Sequence, residues 1–421
     1  MMTLTAMPKY ETYKNSGSEF SGLIPSDWQL LPIRAIFDER NEKNIGPKTD
    51  FILSVTRDRG VIPYDEKGAI GNNKSEDIQR YKIVHPNDLV INKMNIVIGS
   101  LGLSKYHGAL SQVYIVLKPK NSRFNIRYYS YLFSDSTFYK SMIKYCTGIM
   151  ELRESLDKNH FKKINLPYPS EAEQTAIANF LDTKTAQIDE AIAIKEQQIA
   201  LLNERKQILI QQAVTQGLDP TVPMKDSGVE WIGKIPEHWK LMSLRYAFDF
   251  LNNRRIPLSA PEREKRQGEY PYYGASGIID YVDDYIYDED LILIAEDGAN
   301  LLSKSTPLAF VATGKYWVNN HAHIIKPKFK GFKYWAELLS GLDYTTYISG
   351  AAQPKLTREN LGSVTLTVPP HNEIEEITSY IVNIEPAINR AVDLLKDQIN
   401  KLKEYKTTLI NSAVTGRIKV V

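Results

Sequence analysis

The sequence predicts an α+β fold with two mixed α/β domains in tandem, each followed by a long helix, the two helices pairing as an antiparallel coiled coil. Three observations predict it. A short block near the start recurs 211 residues later, a long helical block recurs 200 residues later, and both helical blocks carry heptad-spaced apolar residues. With 421 residues, 43% hydrophobic and 24% charged, the chain has the composition of a folded protein of two or three domains.

The first repeat is a lead-in motif at the start of each half. Residues 14–37 align with residues 225–248 without a gap, and 11 of the 24 positions are identical. Each copy contains an Ile-Pro-x-x-Trp motif, IPSDWQL in the first and IPEHWKL in the second. This agreement is far above chance, so we interpret the chain as a duplicated unit.

The second repeat is a long helix that closes each half. Residues 171–216 contain no proline and no glycine, and Gly217 and Gly416 fit the stop signal of a helix. Apolar residues alternate spacings of four and three, which is typical of a coiled coil. An ordinary core helix is the alternative interpretation. The predicted coiled-coil residues are Ile188, Ile192, Ile199, Leu202 and Leu209 in the first helix and Ile388, Val392, Leu395, Ile399, Leu402 and Leu409 in the second.

The repeats divide the chain into four predicted segments. The first domain with its lead-in motif occupies residues 1–165, and the first long helix occupies residues 166–217. A linker and the second domain occupy residues 218–365, and the second long helix with the C-terminal tail occupies residues 366–421. Paired antiparallel within the chain, the helices would hold two modules at a fixed separation.

The variable regions between the repeats, residues 38–165 and 249–365, differ in charge. The first has 21 Lys and Arg against 14 Asp and Glu, a net charge of +7, and the second has 13 against 15, a net charge of −2. The first fits the footprint of a phosphate-binding surface, whereas a DNA-binding face in the second must be local. The total of +2 excludes a histone-like chain.

Both variable regions are predicted to contain β-strands in a similar order. Asp88–Ile91 aligns with Asp290–Leu293, and Ile115–Pro119 aligns with Ile324–Pro327. The match is weak but ordered, so we expect one scaffold with two different surfaces, as for one fold serving two ligands.

Polar side chains on the predicted loops are candidates for contact with DNA bases, because these residue types match the donors and acceptors of the grooves. A turn or capping role is the alternative for each of them. The candidates are Arg57, Arg59, Asn92, Lys93, Asn95, Ser100 and Lys105 in the first region and Arg254, Arg255, Tyr273, Ser276, Glu296, Asp297, Asn300, Lys304, Asn320 and His321 in the second.

The sequence contains no catalytic signature. P-loop, Gly-x-Ser-x-Gly and His-Glu-x-x-His motifs do not occur. The segment Asn165–Tyr168 resembles an adenine methyltransferase motif, but its repeat partner lacks the Asn and the Tyr. His321 and His323 have no evident third metal ligand. A single cysteine excludes an intrachain disulfide, and without a signal peptide or a long apolar run we expect a cytoplasmic protein that does not enter a membrane.

The repeated motifs resemble those of the specificity subunit of Type I restriction-modification systems. The resemblance rests on the Ile-Pro-x-x-Trp motif before each module, the proline-rich lead PYPSEAEQTAIANFLD into the first helix, and the closing segments NERKQILIQQAVTQG and KEYKTTLINSAVTG. It covers essentially the whole chain, and the motifs occur twice in the expected order.

The resemblance implies a non-catalytic subunit whose two target recognition domains each bind one half of an asymmetric, bipartite double-stranded DNA target. It implies two methyltransferase subunits and two restriction subunits as partners, with S-adenosylmethionine, ATP and Mg²⁺ on those partners and no cofactor in this chain. Its coiled coil would set the spacer between the half-sites. A helix of 45 residues measures about 68 Å, which limits their separation to roughly 20 base pairs.

Two other interpretations remain open at this point. One is a coiled-coil scaffold with two protein-binding modules and no role on DNA, which the charge of the second region favours. The other is a methyltransferase fused to its own specificity domain, which the missing cofactor motifs disfavour. The salt dependence of DNA binding distinguishes the scaffold interpretation from a DNA-binding protein, since phosphate binding weakens steeply as salt rises.

Overall fold

The computed structural model describes residues 7–68, 74–75, 77–147, 155–229, 232–297, 300–304, 306–350 and 354–420. The chain divides into two compact units. Unit 1 comprises Met1–Lys195 and Asp397–Val421, and unit 2 comprises Glu196–Lys396. The boundary falls inside both long helices, so each unit contains one module and a segment of each helix. These two units do not coincide with the four segments predicted from the sequence, and the division into four segments stays a prediction.

Unit 1 contains the elements up to the first part of the first long helix. Its strands are β1 Tyr13–Asn15, β2 Leu23–Pro25, β3 Gln29–Pro32, β4 Phe37–Glu39, β5 Leu53–Thr56, β6 Gly60–Pro63, β7 Lys82–Val84, β8 Leu89–Asn92, β9 Leu101–Leu103, β10 Gly108–Leu110, β11 Tyr114–Pro119, β12 Cys146–Thr147, β13 Ser155–Leu156 and β14 Asn165–Tyr168. Its helices are α1 Ile33–Ile36, α2 Ile126–Ser134, α3 Ser136–Ser141, α4 Lys158–Phe161 and α5 Glu171–Gln216, the last of which continues into unit 2.

Unit 2 follows a similar order. Its strands are β15 Met224–Asp226, β16 Lys234–Pro236, β17 Lys240–Ser243, β18 Phe248–Phe250, β19 Gln267–Gly274, β20 Gly277–Val282, β21 Tyr287–Asp288, β22 Leu291–Ala295, β23 Ala309–Ala312, β24 Lys315–Val318, β25 Ala322–Pro327, β26 Ile348–Ser349, β27 Lys355–Leu356 and β28 Thr365–Val368. Its helices are α6 Leu244–Ala247, α7 Ala260–Lys265, α8 Asn300–Ser303, α9 Phe332–Gly341, α10 Arg358–Ser363 and α11 His371–Val414, whose end lies in unit 1.

The same four-stranded antiparallel sheet lies at the centre of each module. Its order is β4-β11-β8-β9 in unit 1 and β18-β25-β22-β23 in unit 2. Unit 2 adds a second sheet of order β20-β19-β24-β21, whereas β5 and β6 form a separate hairpin in unit 1. The expected α+β fold with a shared scaffold is therefore confirmed, and the differences lie in the strands around it.

The register of these sheets corrects the alignment of Asp88–Ile91 with Asp290–Leu293. Leu89 pairs with Leu117 and faces the main core of unit 1, and the residue in the same place in unit 2 is Ile292, which pairs with Ile325. The sequence alignment was therefore wrong by one residue. Such a slip exchanges the two faces of a strand, because successive side chains point to opposite sides.

The two long helices pair antiparallel within each unit. In unit 1, Asp189 lies opposite Lys406 and Lys195 lies opposite Gln398, so residue numbers rise on one helix as they fall on the other. In unit 2, Lys206 lies opposite Asn389. All eleven predicted coiled-coil residues are buried or half-buried.

Lysines occupy several heptad positions and reach polar groups on the facing helix. Lys406 Nζ contacts both carboxylate oxygens of Asp189 at 2.7 Å, and Lys195 Nζ donates to Gln398 at 2.5 Å. Lys206 Nζ donates to the amide oxygen of Asn389 at 3.0 Å. A polar residue in a coiled-coil seam favours one register over its neighbours, so these pairs select the observed alignment.

The Ile-Pro-x-x-Trp motif of unit 1 forms a socket for both helices. The indole nitrogen of Trp28 donates to Glu173 in the first turn of α5 at 3.3 Å. Gly416, after the last turn of α11, packs on Pro25 and Trp28. Tyr128 of α2 donates its hydroxyl to the carbonyl of Val414 at 3.0 Å.

Unit 2 repeats this socket with the opposite helix ends. Trp239 donates to Glu373 in the first turn of α11 at 2.8 Å. Tyr334 of α9 donates to the carbonyl of Val214 near the end of α5 at 3.3 Å. Gly217 lies against Trp239. The sequence repeats therefore mark the residues that fasten each module to one helix start and one helix end.

Candidate nucleic-acid interface

Five of the predicted DNA-contact residues lie together where β22 ends in unit 2. We call this group the Glu296 cluster: Arg255, Glu296, Asp297, Asn320 and His321. Arg255 Nη1 contacts Glu296 at 2.6 Å and also donates to the backbone carbonyl of Asn320 at 3.2 Å. The ring of His321 lies 2.9 Å from Asp297.

Glu296 is held as a carboxylate. Burial alone would raise its pKa, but the hydrogen bond from Arg255 and the positive charge of Lys355, 3.5 Å away, lower the pKa of Glu296 below its usual value. Charge-assisted hydrogen bonds of this kind hold a side chain in one orientation. The cluster is therefore a preorganised set of charged groups beside a half-exposed imidazole.

A buried histidine supports the cluster from below. His323 Nε2 lies 2.7 Å from the carbonyl of Leu356, which can only accept, so Nε2 carries the proton. Nδ1 then accepts from the side-chain amide of Asn252 at 2.8 Å. Burial lowers the pKa of His323, so the ring is neutral at neutral pH. It ties β25 to β27 beneath the loop.

The hairpin of β19 and β20 carries two more candidates. Ser276 lies in its exposed turn. Tyr273 is half-buried and packs its ring on Phe310 and edge-on against Tyr316, with centroid separations of 5.6 and 5.5 Å. Tyr273 therefore has a packing role, and the exposed groups of the hairpin lie at and beyond the turn.

The remaining candidates of unit 2 have structural contacts. Arg254 pairs with Glu289 at 2.9 Å. Asn300 and Thr306 bond to each other across a short loop, through the side chain of Asn300. Lys304 Nζ donates to the carbonyl of Leu342 at 3.1 Å. These residues shape the loops beside the Glu296 cluster.

In unit 1 the exposed candidates lie on three turns. Arg57 and Arg59 lie in the turn between β5 and β6, where Arg59 also donates to the carbonyl of Glu66 at 2.5 Å. Asn95 follows β8, and Lys105 follows β9. All four are exposed, so they stay accessible to a ligand.

Two candidates of unit 1 are buried. Asn92 is 9% exposed, and its side-chain oxygen accepts from the amide of Met94 at 3.1 Å. Ser100 is 3% exposed and donates to the carbonyl of Val55 at 3.1 Å. These side chains fix the loop that presents Lys93.

Lys93 is the counterpart of Glu296. The carbonyl of Lys93 accepts from the amide of Leu156 at 2.9 Å, and the carbonyl of Glu296 accepts from the amide of Leu356 at 2.8 Å. The backbone hydrogen bond is thus the same in both modules, while the charge of the side chain is opposite. A position of this kind, on a shared scaffold and at the edge of the loops, is suited to telling one ligand from another.

A lysine-rich cluster in unit 1 was not predicted from the sequence. Glu39, 7% exposed in its side chain, contacts Lys158 at 2.6 Å, Lys162 at 3.1 Å and Lys82 at 3.2 Å. Burial opposes ionisation of Glu39, but the hydrogen bonds from Lys158 and Lys162 prevail and lower its pKa to about 2. These residues are far apart in the sequence, so their spacing does not predict that they form a cluster.

Among the residues that the structure describes, no group of three His, Cys, Asp or Glu is placed to hold a metal ion. In the same part of the chain, no helix is both long and apolar enough to cross a membrane.

Two copies of one scaffold with unlike loops define a recognition protein with two binding modules. A family model described as the Type I restriction modification DNA specificity domain matches residues 25–204 and again residues 236–404. The chain belongs to this family, and it is a DNA sequence-recognition subunit. The resemblance found in the repeated motifs is thereby confirmed. Specificity subunits are in general non-catalytic, and membership implies assembly with other restriction-modification subunits and with DNA.

Several known proteins are similar to the chain. A putative Type I restriction enzyme MjaX specificity subunit of Methanocaldococcus jannaschii is 23% identical over 100% of both chains. The MjaVIII specificity subunit of the same organism is 24% identical over 100% of this chain and 99% of its own. A putative specificity subunit of Haemophilus influenzae is 32% identical over 134 residues, which cover 32% of this chain and 34% of that protein.

Two solved structures share the fold. A chain from a study of complex assembly and conformational transition of the Type I R-M system has a TM-score of 0.68 at 11% identity, covering 93% of this chain and 98% of its own. The HsdS subunit from Thermoanaerobacter tengcongensis has a TM-score of 0.51 at 12% identity, covering 94% and 98%.

Proposed function

We propose that each module binds one half of an asymmetric, bipartite DNA target, and that the chain positions methyltransferase and restriction subunits on that target. The exchange of Lys93 for Glu296 at one backbone position carries the proposal. The two positions offer unlike groups to a base, because Lys93 adds a hydrogen-bond donor in unit 1, whereas Glu296 in unit 2 is paired with Arg255 and Lys355. Two modules with the same scaffold and opposite charges at this place are suited to two different half-sites.

The proposal includes the partners and their chemistry. Two methyltransferase subunits would methylate adenine with S-adenosylmethionine, and two restriction subunits would use ATP and Mg²⁺. This chain would supply no cofactor. Its charged loops would provide base contacts, and its basic first module would add phosphate contacts that set position.

Methylation sequencing of host DNA tests the proposal directly. Genomes are compared with the gene intact and with the gene deleted. The expected result is an asymmetric, bipartite N6-methyladenine motif that disappears on deletion. If no motif depends on the gene, the purified complex is tested on DNA at low and high salt. Binding that is absent at low salt would favour the protein-binding scaffold instead.

Exchange of one module tests the modular part. Residues 38–165 are replaced by the corresponding region of another specificity subunit. One half of the methylated motif should change, and the other half should stay the same. A change in both halves would contradict independent recognition by the two modules.

We also propose that the paired helices set the spacer between the half-sites. Seven residues, one heptad, are inserted into α5 and seven into α11 at the boundary between the units, so that the heptad register is kept on both helices. Seven residues add about 10.5 Å, or roughly 3 base pairs of duplex. A longer spacer in the methylated motif is expected. An active variant with an unchanged spacer would contradict this role.

A further inference from the structure

A basic cleft of about 600 Å³ opens in unit 2 beside the central sheet. We use the name basic cleft for the space between Arg245 of α6, Lys328 after β25, and Arg358 at the start of α10. Phe250 and Asp249 of β18 also line it. All three cations are exposed.

The cations of the cleft are only partly neutralised. Lys328 lies 3.6 Å from Asp249, a pair that is exposed on both sides and therefore weak. Arg245 Nε donates to the carbonyl of Gly362 at 3.1 Å, and Arg358 packs its guanidinium over the ring of Phe250 at 5.2 Å. Neither arginine forms an ion pair among the described residues, although Glu359 also lines the cleft. Each keeps donors free for an anion.

The same positions are basic in unit 1. Phe37 pairs with Pro119 there, as Phe248 pairs with Pro327 in unit 2, which fixes the alignment of the two modules at this point. The matching pairs are Arg34 with Arg245, Lys120 with Lys328, and Lys158 with Arg358. The ion pair recurs too, with Lys120 lying 3.8 Å from Asp38.

Unit 1 carries still more positive charge at this place. Lys158, Lys162 and Lys82 surround the single carboxylate of Glu39, at the position of Phe250 in unit 2. Burial, and after it the neighbouring ammonium of Lys158, lowers the pKa of Lys82.

The cleft lies next to the loop that differs between the modules. The amide of Leu356 bonds to Glu296, and Arg358 follows two residues later. In unit 1 the amide of Leu156 bonds to Lys93, and Lys158 follows two residues later. In each module, a segment of three residues therefore bonds at its first residue to the position that differs in charge, and its third residue is a cation in both modules.

We propose that the basic cleft binds a backbone phosphate of the DNA target, and that the corresponding residues of unit 1 do the same at the other half-site. The argument rests on the proposed function. Two modules that contact different bases share only the sugar-phosphate backbone as a ligand, so a cation set kept in both modules beside loops that diverge matches the part of DNA that does not vary. Exposed Lys and Arg are the residues that make such contacts.

The test uses the full chain purified with its methyltransferase subunits. The variants are Arg358→Gln, Lys328→Gln and the double substitution, and Arg245 is left unchanged because it holds the carbonyl of Gly362. Arg358→Lys keeps the charge and serves as the conservative variant. Lys234→Gln is the matched control, an exposed lysine of the lead-in motif that is Leu23 in the first copy.

Three quantities are measured for each variant. They are the affinity for the target duplex, the affinity for an unrelated duplex across about 50 to 200 mM salt, and the ratio of subunits in the purified complex. The double variant should bind both duplexes more weakly by the same factor, about tenfold or more. Its salt slope should fall by about 0.9 for each phosphate that the protein no longer neutralises. Arg358→Lys and Lys234→Gln should keep the slope.

Each other outcome refutes a defined part. Unchanged affinity and slope in the double variant would overturn the cleft proposal while leaving the proposed function intact. Weaker binding of the target duplex alone would make these residues base contacts rather than phosphate contacts. A lowered subunit ratio would assign the cleft to an acidic surface of a partner protein. If the unsubstituted complex does not prefer its target, the proposed function itself fails.

Discussion

Replacing Gly416 by alanine should loosen the socket of unit 1, and Gly217 provides a matched control in unit 2. Both glycines follow the last turn of a long helix with positive φ, +71° at Gly416 and +81° at Gly217. Both therefore end their helix in the left-handed conformation, which is disfavoured for alanine. They differ in what surrounds the missing Cβ.

The expected loss of stability in each variant follows from the atoms around the added Cβ. A Cβ at Gly416 would lie 2.4 and 2.5 Å from two ring carbons of Pro25, far inside the ordinary contact of about 3.5 to 4.0 Å. A Cβ at Gly217 would lie 3.4 Å from Trp239, close to an ordinary contact. The conformational cost is about 1 to 2 kcal/mol in both variants. Overpacking against Pro25 adds about 1 to 3 kcal/mol in Gly416→Ala alone.

Hydrogen exchange measured by mass spectrometry is the suitable assay, because a chain of two units need not unfold in one step. Peptides from the end of α11 should exchange faster in Gly416→Ala than peptides from the end of α5 do in Gly217→Ala. A difference of 1 to 3 kcal/mol corresponds to about 5- to 150-fold in the opening equilibrium. Equal effects, or a larger effect of Gly217→Ala, would refute the reasoning from Pro25.

Three further predictions follow from single contacts. The pKa of Glu39 is lowered from 4.5 to about 2, so its carboxylate stabilises unit 1 by about 3 kcal/mol above pH 4.5, and this effect is lost as the pH falls towards 2. In Glu39→Gln, acid unfolding of unit 1 should lose this pH dependence. The variant should also be less stable at pH 7, because Lys82 stays buried without its partner. Lys406→Leu removes an exposed pair with Asp189 and adds an apolar heptad residue, so thermal unfolding should change by less than about 1 kcal/mol, and a larger loss would contradict a role limited to register. Lys93→Glu should change the first half of the methylated motif and spare the second, and a change in the second half would contradict the assignment.

The long helices were predictable because their signals are local. The structure begins α5 at Glu171 and ends it at Gln216, the limits given by its flanking proline and glycine. The second long helix, α11, begins at His371, directly after Pro370, and continues through Pro386. A proline inside a helix removes one backbone hydrogen bond, and packing of the surrounding turns maintains the helix across it.

The candidate site was predictable only in part, because exposure depends on tertiary packing. The turn that carries Arg57 is exposed, as its residue types suggest. Asn92 and Ser100 have the same residue types but lie inside, where they bond to the backbone. A polar residue next to a strand has both uses open to it, and nothing local in the sequence distinguishes them.

The charged groups of the site were least predictable, because their partners are distant along the chain. Glu39 meets Lys82 and Lys158 across more than 40 and more than 110 positions. Arg255 and Glu296 were both named as candidates, but only the fold shows that they neutralise each other. Net charge over a region therefore overstates what is available to DNA. Pairing reduces the free charge, and exposure decides where the rest can act.

The duplication itself separates scaffold from recognition in this chain. Residues that recur and meet the long helices, such as Trp28 and Glu173 with their counterparts Trp239 and Glu373, form sockets that must be the same if both modules are to fasten to the same kind of helix. Lys93 and Glu296 occupy the same backbone position with opposite side-chain charges, so this position does not have to be the same in both modules. Positions can thus be sorted by whether the two copies agree. Agreement at an exposed cation outside the sockets then calls for a ligand common to both modules, and the DNA backbone is such a ligand.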